Sequence, residues 1–394
     1  MRFEDLIAPM STEEFLRHWY GKKPLHISAG NAQARGLIGW NKLNELLGLP
    51  SHWSEANIKL IFKGVPVTDH LYLDSVETLG GVVRRANLAK VDVFLQMGAT
   101  LLAGAVHEIS PEVLALAASL SELFAGRAEA NLYCSFKGIQ AFNSHFDVHE
   151  VFAVQCEGEK VWNIYENRVE APIEAPRAAN AKAVIDASKG RVAMQVRMRP
   201  GDMLYIPRGF CHDALASSGA SLHVTLSVTP LDGRALFRLL EEEAILHSAF
   251  REYLPDARSS NERDLAEKLT SLGERMMQIL TSRAFAAKLG NRQRQLVERN
   301  VAFDLPERRR LDFFARTERP IEFSREGPMT VLTSAGRSLP LESAAGAAEW
   351  ILEQAGFSLQ QLAATFPHLD EAELKRLVEA LERMQIIVAY EPEI

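Results

Sequence analysis

The stretch between residues 130 and 230 constrains the fold of this 394-residue chain more than any other part. It consists of short runs rich in Val, Ile, Phe and Tyr, separated by glycine and asparagine: 151–155, 161–165, 193–198, 203–206 and 222–228. Such runs between turn-forming residues are typical of β-strands. Strands that follow one another at this spacing predict an all-β barrel or a double-stranded β-helix.

The segments on either side of this stretch have a different character. Residues 111–124 are rich in Leu and Ala and predict a helix that leads into the barrel, and after Pro230 the segments 235–253 and 262–289 carry apolar residues at helical spacing. From residue 313 onward, short strands are followed by helices at 341–355, 358–365 and 370–384 and by a last strand at 386–390. We therefore predict an α+β chain with three domains, 1–230, 231–312 and 313–394.

Composition narrows the class of protein. A hydrophobic content of 47% and a charged content of 24% are those of a soluble globular protein, and no apolar run is long enough to cross a membrane. Three cysteines are too few for a disulfide framework and fit a reducing compartment, and the first residues lack an apolar signal core, so we expect a cytoplasmic protein. The formal net charge of −7 argues against general nucleic-acid binding.

Two segments of the predicted barrel carry residues that ligate metals. His145 and Asp147 alternate along one segment, and in a strand this spacing places both side chains on the same face. His212 is the third candidate, on a neighbouring strand. Two imidazoles and one carboxylate suit Fe(II) with open coordination positions, as in oxygenases. The alternative is a buried structural histidine beside a solvated aspartate.

The segment 201–212 strengthens the metal interpretation. Gly201-Asp202 is a turn signal, residues 203–206 form an apolar strand, and Pro207 with Gly209 bends the chain so that His212 can point inward. This order of Gly, Pro, Gly and His resembles the second conserved motif of the cupin barrels.

Longer motifs resemble the JmjC-type ribosomal oxygenases: Asn131-Leu-Tyr133, Gly138-x-Gln140, His145-Phe-Asp147 and the stretch 152–162. The resemblance implies a 2-oxoglutarate- and Fe(II)-dependent hydroxylase of ribosomal-protein side chains, at an Arg or a His. It also implies a cupin-like JmjC catalytic domain in 1–230 with its barrel core at about 130–230. A helical dimerisation segment in 231–312, a winged-helix-like domain in 313–394 and a homodimer complete the expected architecture.

The same resemblance assigns roles within the site. It implies that the metal is held by His145, Asp147 and His212. Lys160 occupies the family's position for the basic residue that pairs the C5 carboxylate of 2-oxoglutarate. Asn131, Tyr133 and Thr225 match positions beside this cosubstrate, with Thr225 on a late strand that faces the pocket.

Two further histidines have open roles. Strand alternation puts His223 on the same face as Thr225, so it lines the pocket or is a hydrogen-bonded core histidine. His149 follows Asp147 by two residues, and we expect it to line the substrate entrance. If His149 bound metal instead, a four-ligand cupin without oxygenase activity would become the better interpretation.

Several other functions remain open from the sequence. Within the same chemistry, a JmjC lysine demethylase or a tRNA hydroxylase is the alternative. Outside it stand a non-redox cupin that uses zinc or manganese and a catalytically silent scaffold. The predicted helices 358–365 and 370–383 are poor in basic residues, so we expect the C-terminal domain to contact protein rather than nucleic acid.

Overall fold

The structure is a computed structural model that describes residues 1–28, 32–136, 143–174, 181–258, 262–297, 312–326 and 329–390. The chain divides into two compact units: unit 1 comprises Met1–Pro230, and unit 2 comprises Leu231–Leu296 together with the C-terminal part of the chain. The three predicted domains are not tested by this division and stay a prediction. In the described part of the chain, none of the helices has the length and apolar character needed to cross a membrane.

Unit 1 combines short helices with antiparallel strands. Its helices are α1 Phe3–Ile7, α2 Thr12–His18, α3 Ala32–Arg35, α4 Trp40–Leu47, α5 Leu88–Gln96, α6 Pro111–Phe124 and α7 Ala181–Ser188. Its strands are β1 Leu25–Ile27, β2 Ile58–Phe62, β3 Val65–Pro66, β4 Leu73–Thr78, β5 Gly81–Ala86, β6 Thr100–Ala103, β7 Gly126–Phe136, β8 Glu150–Arg168, β9 Val192–Met198, β10 Met203–Ile206 and β11 Phe210–Pro230. The predicted helix at 111–124 and all the predicted barrel strands are confirmed.

One sheet dominates unit 1. Its strands run in the order β1-β10-β8-β11-β7-β6-β2-β3, with β9 paired to β8 on the other side, and every pairing is antiparallel. The long strands β8 and β11 pair with each other along almost their whole length. The N-terminal part of β8 also pairs with β10 and its C-terminal part pairs with β9. The two halves of β8 therefore belong to different layers of the folded sheet.

A sharp bend lies in the middle of β8 and β11, where their register shifts repeatedly between Ala216 and His223. Such irregularities bend a strand and increase its twist. Gly158 lies at the bend with φ +62°, and a Cβ atom there would be 2.0 Å from the carbonyl oxygen of Ala220. Only glycine fits this close approach, which lets residues from both halves of the two strands face one interior.

An aromatic cluster closes the outside of the sheet against the N-terminal helices. Phe3 of α1, Phe15 of α2 and Phe124 of α6 pack on Phe152 of β8 and Tyr205 of β10, with ring centroids 4.9–6.4 Å apart. Helix α6 begins where expected, because the side chain of its N-cap, Ser110, accepts from the amide of Val113.

Unit 2 is a set of helices followed by two small sheets. Its helices are α8 Arg234–Ala244, α9 Ser248–Arg251, α10 Glu262–Leu280, α11 Arg283–Leu296, α12 Ala345–Glu353, α13 Leu359–Thr365 and α14 Glu371–Arg383. Its strands are β12 Phe313–Arg316, β13 Glu322–Glu326, β14 Met329–Ser334, β15 Arg337–Pro340, β16 Gly356–Ser358 and β17 Ile387–Ala389. The sheets have the orders β16-β12-β17 and β13-β14-β15.

The two long helices predicted after Pro230 are each interrupted. The segment 235–253 forms α8 and the short α9, and the segment 262–289 breaks between α10 and α11 at Thr281 and Ser282. The Ser282 hydroxyl accepts from the amide of Phe285 and so caps a new helix, which apolar periodicity alone does not reveal. Helices α12, α13 and α14 and the last strand lie where the sequence predicts them.

Candidate metal centre

His145, Asp147 and His212 come together inside unit 1. Each offers one ligand atom, and these atoms all lie within 4.8 Å of one another. The Nε2 atom of His212 is 3.4 Å from Oδ2 of Asp147, and the two imidazole centroids are 4.5 Å apart. Among the described residues, this is the group of His, Cys, Asp and Glu side chains that could hold a metal ion.

The segment that carries His145 and Asp147 is not a regular strand, in contrast to the expectation from alternation. It precedes β8 and is joined to β11 by one isolated bridge, in which the amide of His145 donates to the carbonyl of His212 at 3.0 Å and the reverse bond measures 2.8 Å. The side chains of His145 and Asp147 therefore point to the same side because of this bridge and not because of the alternation of a regular strand.

Gly209 holds the backbone of Asp147 in place through hydrogen bonds. Its amide donates to the carbonyl of Asp147 at 2.9 Å, and its own carbonyl accepts from the amide of Val169 at 2.9 Å. Its φ is +88°, and a Cβ would lie 2.0 Å from the Val169 carbonyl oxygen. The predicted bend at Pro207 and Gly209 is thus present, and it orients Asp147 as well as His212.

The protonation pattern of the three side chains suits a metal. Nδ1 of His145 lies 2.9 Å from the carbonyl of Asn143, and Nδ1 of His212 lies 3.0 Å from the carbonyl of Phe210. Because a carbonyl can only accept, Nδ1 carries the proton in both rings and the Nε2 lone pair is free. Burial, with the help of His145, lowers the pKa of His212 to about 4 and keeps it neutral.

The Asp147 carboxylate is held ionised. Burial alone would raise its pKa, but the positive charge that His212, His145 and His149 carry when protonated outweighs burial and lowers it, so the carboxyl group loses its proton before these rings do. Neutral imidazoles and an ionised carboxylate are the forms that bind a divalent cation. The donor set of two nitrogens and one oxygen fits Fe(II) better than Mg²⁺ or Ca²⁺, which prefer oxygen ligands.

The pocket around this cluster is lined, in addition to the candidate ligands, by His149 and by residues from β7, β8 and β11: Asn131, Tyr133, Val151, Lys160, Trp162, Ala214, His223, Thr225 and Ser227. Every residue assigned to the cosubstrate from the sequence lines it. On β7 and β11, Asn131 pairs with Thr225 and Tyr133 with His223, so alternation places them on one face as expected.

Lys160 lies at the closed end of the pocket, near the bend of β8. It is only 4% exposed, and its ammonium has Ser135 Oγ at 3.5 Å and the rings of Tyr133 and Trp162 at 6.0 and 5.9 Å. Burial lowers its pKa to about 8. The polar partner of the ammonium in the described part of the chain is the Ser135 hydroxyl, and a buried ammonium is stabilised when it pairs with an anion.

His223 is part of the pocket wall and not an isolated core residue. It stacks on Tyr133 with centroids 4.8 Å apart and meets the edge of Trp162 at 5.5 Å. Burial, with the nearby Lys160 charge, lowers its pKa well below the ordinary value. Both His223 Nδ1 and Trp162 Nε1 are buried and have no hydrogen-bond partner among the described residues.

His149 stands beside the ligand set without joining it. Its Nε2 is 3.9 Å from Oδ1 of Asp147, and its Nδ1 lies 3.3 Å from the carbonyl of Glu150. It lines the pocket. The arrangement favours three ligands over four.

Sequence reasoning missed several residues of the pocket. Ser227 continues the alternating row of His223 and Thr225, and this period could have identified it. Trp162, two residues after Lys160, carried the same signal. Gly138 and Gln140, which belong to the family motifs quoted above, lie outside the described residues.

Comparison with known proteins identifies the domain that contains the cluster. Residues 108–236 match the family model described as JmjC domain. The chain is 32% identical over 232 residues to "Ribosomal oxygenase 1" of Gallus gallus, a match that covers 57% of this chain and 36% of that protein. It is 30% identical over 235 residues to "Ribosomal oxygenase 1" of Homo sapiens, covering 57% and 34%. The chain thus matches about a third of the length of these relatives.

Solved structures show the same fold over nearly the whole chain. The ycfD protein of Escherichia coli, described as "X-Ray structure of E. coli ycfD", superposes with a TM-score of 0.52 at 18% sequence identity. The match covers 97% of this chain and 98% of that one. The α+β fold with a JmjC/cupin barrel, predicted from the sequence, is confirmed.

Proposed function

We propose that this chain, which carries a JmjC domain, is a 2-oxoglutarate- and Fe(II)-dependent oxygenase that hydroxylates a side chain of a ribosomal protein. The observation that carries the proposal is the pair of features in one pocket, a cluster of three candidate ligands and a buried lysine. A metal with open positions and an anionic cosubstrate together account for both. The name of these relatives, ribosomal oxygenase, supplies the substrate class.

In this proposal His145, Asp147 and His212 hold Fe(II) through Nε2, a carboxylate oxygen and Nε2. The iron and 2-oxoglutarate, when bound, supply oxidative decarboxylation coupled to insertion of one oxygen atom into a C–H bond. Asn143 and Phe210 keep the two imidazoles in the Nδ1–H form through their carbonyls, which leaves both Nε2 atoms as donors. The Gly209 amide holds the backbone of Asp147.

Lys160 binds the C5 carboxylate of 2-oxoglutarate at the closed end of the pocket. The distance from that end to the ligand cluster is spanned by Tyr133, His223, Asn131 and Thr225, which face the same interior. An ammonium supplies a compact charge and does not require the fixed two-pronged geometry of arginine. The aromatic wall of Tyr133, His223 and Trp162 excludes water around the cosubstrate.

The substrate side chain, Arg or His, enters from the opposite, open end. Residues on the inner face of β7 become more exposed in that direction, from Ser135 at 1% to the side chains of Glu129 at 46% and Arg127 at 66%. His149 and Ser227 lie between this rim and the ligand cluster. An opening that becomes more exposed in this direction can accept one side chain from a loop of a protein substrate.

The rest of the chain supports assembly rather than chemistry in this proposal. We assign residues 231–312 to dimerisation and 313–394 to a winged-helix-like domain that contacts protein, not nucleic acid. Supporting the homodimer, α8 and α10 and the segments after α8 expose large apolar side chains: Phe237, Ile245, Leu246, Tyr253, Leu254, Leu269 and Met277. We place the protein in the cytoplasm, where its proposed substrate is assembled.

A second candidate function is lysine demethylation, carried by the same site. A relative from Culex quinquefasciatus is named "Bifunctional lysine-specific demethylase and histidyl-hydroxylase NO66" and is 27% identical over 296 residues, which is 70% of this chain and 44% of that protein. Demethylation of an N-methyl group begins with the same hydroxylation of a C–H bond.

The test has two stages. The purified protein should convert 2-oxoglutarate to succinate only with added Fe(II), and His145→Ala and Asp147→Ala should each abolish the conversion, whereas His70→Ala, at an exposed histidine, should not. Turnover that persists in the ligand variants would refute the assignment. Mass spectrometry of ribosomal proteins from cells with and without the gene should then show a gain of one oxygen, and loss of a methyl group from lysine would favour the demethylase.

A further inference from the structure

We propose that Asp213 is a positioning residue that sets the distance between the two imidazoles of the metal centre. The inference rests on the proposed function, since it assumes that His145 and His212 hold the metal. Asp213 follows His212 directly in β11, so its side chain points to the opposite face of the strand, away from the pocket. It therefore contacts neither metal nor cosubstrate.

The Asp213 carboxylate is buried and fully used. It is 7% exposed and accepts from Ser144 Oγ at 2.6 Å, from Tyr165 OH at 2.6 Å and from Asn163 Nδ2 at 2.9 Å. Asn163 is itself held by Gln195, which donates to its Oδ1 at 2.8 Å. Hydrogen bonds to a charged acceptor are roughly twice as strong as neutral ones, so this is a rigid point of the sheet.

Ser144 makes this network relevant to the metal. It immediately precedes His145, just as Asp213 immediately follows His212, so the short Ser144–Asp213 bond ties the two histidine-bearing segments together on the side away from the metal. The backbone bridge between His145 and His212 joins the same two segments. Together, the backbone bridge and the side-chain bond between Ser144 and Asp213 fix both the separation and the rotation of the two segments.

Apart from the Asp213 contacts, the segment 143–149 is held by the His145–His212 bridge and by the bond from the Gly209 amide to the Asp147 carbonyl. In the described part of the chain, residues 143–149 belong to no regular strand, and their sheet pairing is the single bridge at His145. Lys189 adds to the hydrogen-bond network around Asp213, because its ammonium donates to Ser144 Oγ at 2.8 Å and lies 4.4 Å from the centre of the Tyr165 ring. This network therefore stabilises the ligand-bearing segment that is not part of a regular strand.

The test is Co(II) binding to the purified full chain, followed by absorbance titration. Both oxygens of Asp213 accept, so the NH₂ group of Asp213→Asn faces the Asn163 amide donor in one orientation and, in the other, two hydroxyls that must turn from donors into acceptors. We expect this variant to lose about 10- to 100-fold in Co(II) affinity, the range seen when partners of metal ligands are removed. The matched control is Glu166→Gln, at a nearby strand carboxylate that pairs with exposed Arg191 and should bind Co(II) as the wild type does.

Two further measurements distinguish a positioning role of Asp213 at the metal centre from a merely structural role. The KM for 2-oxoglutarate, set by the Lys160 end of the pocket, should not change in Asp213→Asn, while half-saturation by Fe(II) rises. If Asp213→Asn does not fold, Tyr165→Phe and Ser144→Ala each remove one donor and should each weaken Co(II) binding by a smaller factor with the unfolding temperature of the metal-free protein nearly unchanged.

Distinct results overturn the inference and the proposed function. If the wild type binds Co(II) and His145→Ala does not, yet Asp213→Asn or both single-donor variants bind as the wild type, the positioning role is wrong and the metal site stands. Equal losses in Glu166→Gln and Asp213→Asn also overturn it. If His145→Ala binds Co(II) as tightly as the wild type, the metal site and the inference fall together.

Discussion

Replacing Lys160 with methionine should change stability and binding in opposite directions. Burial lowers the pKa of this ammonium from 10.5 to about 8, and a shift of that size corresponds to roughly 3 kcal/mol of unfavourable burial of the charged form. The cost is fully present below pH 8 and disappears as the pH rises toward 10.5. Methionine keeps the unbranched apolar stem without the charge, so Lys160→Met should stabilise the metal-free protein at pH 7 by up to about 3 kcal/mol.

The same substitution should weaken 2-oxoglutarate binding severely. Removing one partner of a buried charge pair costs about 2–5 kcal/mol, because the other charge is left unpaired. The dissociation constant for 2-oxoglutarate should therefore rise by about 30-fold or more. Since the wild-type ammonium loses its proton around pH 8, wild-type affinity for 2-oxoglutarate should also fall as the pH rises above that value.

Urea unfolding at pH 7 and pH 9.5 measures the first effect, and calorimetric titration of 2-oxoglutarate into the Co(II)-loaded protein measures the second. Lys59→Met, at an exposed lysine of β2, is the matched control and should change neither. A Lys160→Met protein that is less stable than the wild type at pH 7 would refute the burial argument. Unchanged affinity for 2-oxoglutarate would refute the role of the lysine.

Three further variants test other parts of the structure. Gly209→Ala should destabilise the protein by about 1–3 kcal/mol in urea unfolding and reduce Co(II) binding, because a Cβ meets the neighbouring carbonyl in a left-handed conformation; unchanged Co(II) affinity would contradict its link to Asp147. Burial raises the pKa of Glu349 to about 7, so stability is lost as the pH rises from 4.5 through 7. Glu349→Gln should lack this loss, and parallel pH profiles of its unfolding temperature and that of the wild type would disprove the reasoning. Phe237→Glu with Tyr253→Glu should convert the proposed dimer to a monomer in sedimentation, and a wild-type monomer would dismiss the dimer.

The sequence identified the barrel and its site because both depend on short-range signals. Period-two alternation placed His223 with Thr225, and the turn residues Pro207 and Gly209 marked the bend before His212. Asn131 and Tyr133 were placed by the resemblance to the ribosomal oxygenases, and both line the pocket with His223 and Thr225. Residues at a fixed spacing on one strand share a face whatever the rest of the chain does.

The features that the sequence could not predict depend on partners far away in the chain. The irregular path of His145 and Asp147 is set by a bridge to His212, and the use of Asp213 depends on Ser144 and Tyr165. No local pattern encodes such contacts. The break between α10 and α11 was missed for another reason, since a serine cap interrupts a helix without interrupting its apolar period.

The antiparallel pairing of β8 with β11 has a consequence for biosynthesis. The ligands of the metal centre belong to segments that meet only when strands distant in the chain have found each other, and such high-contact-order topology folds slowly. In the proposed function, a nascent polypeptide that lacks β11 has His145 and Asp147 but not the third ligand, His212. Tight binding of iron is then expected only after β11 has paired with β8, which would keep a redox-active cation off the incomplete polypeptide.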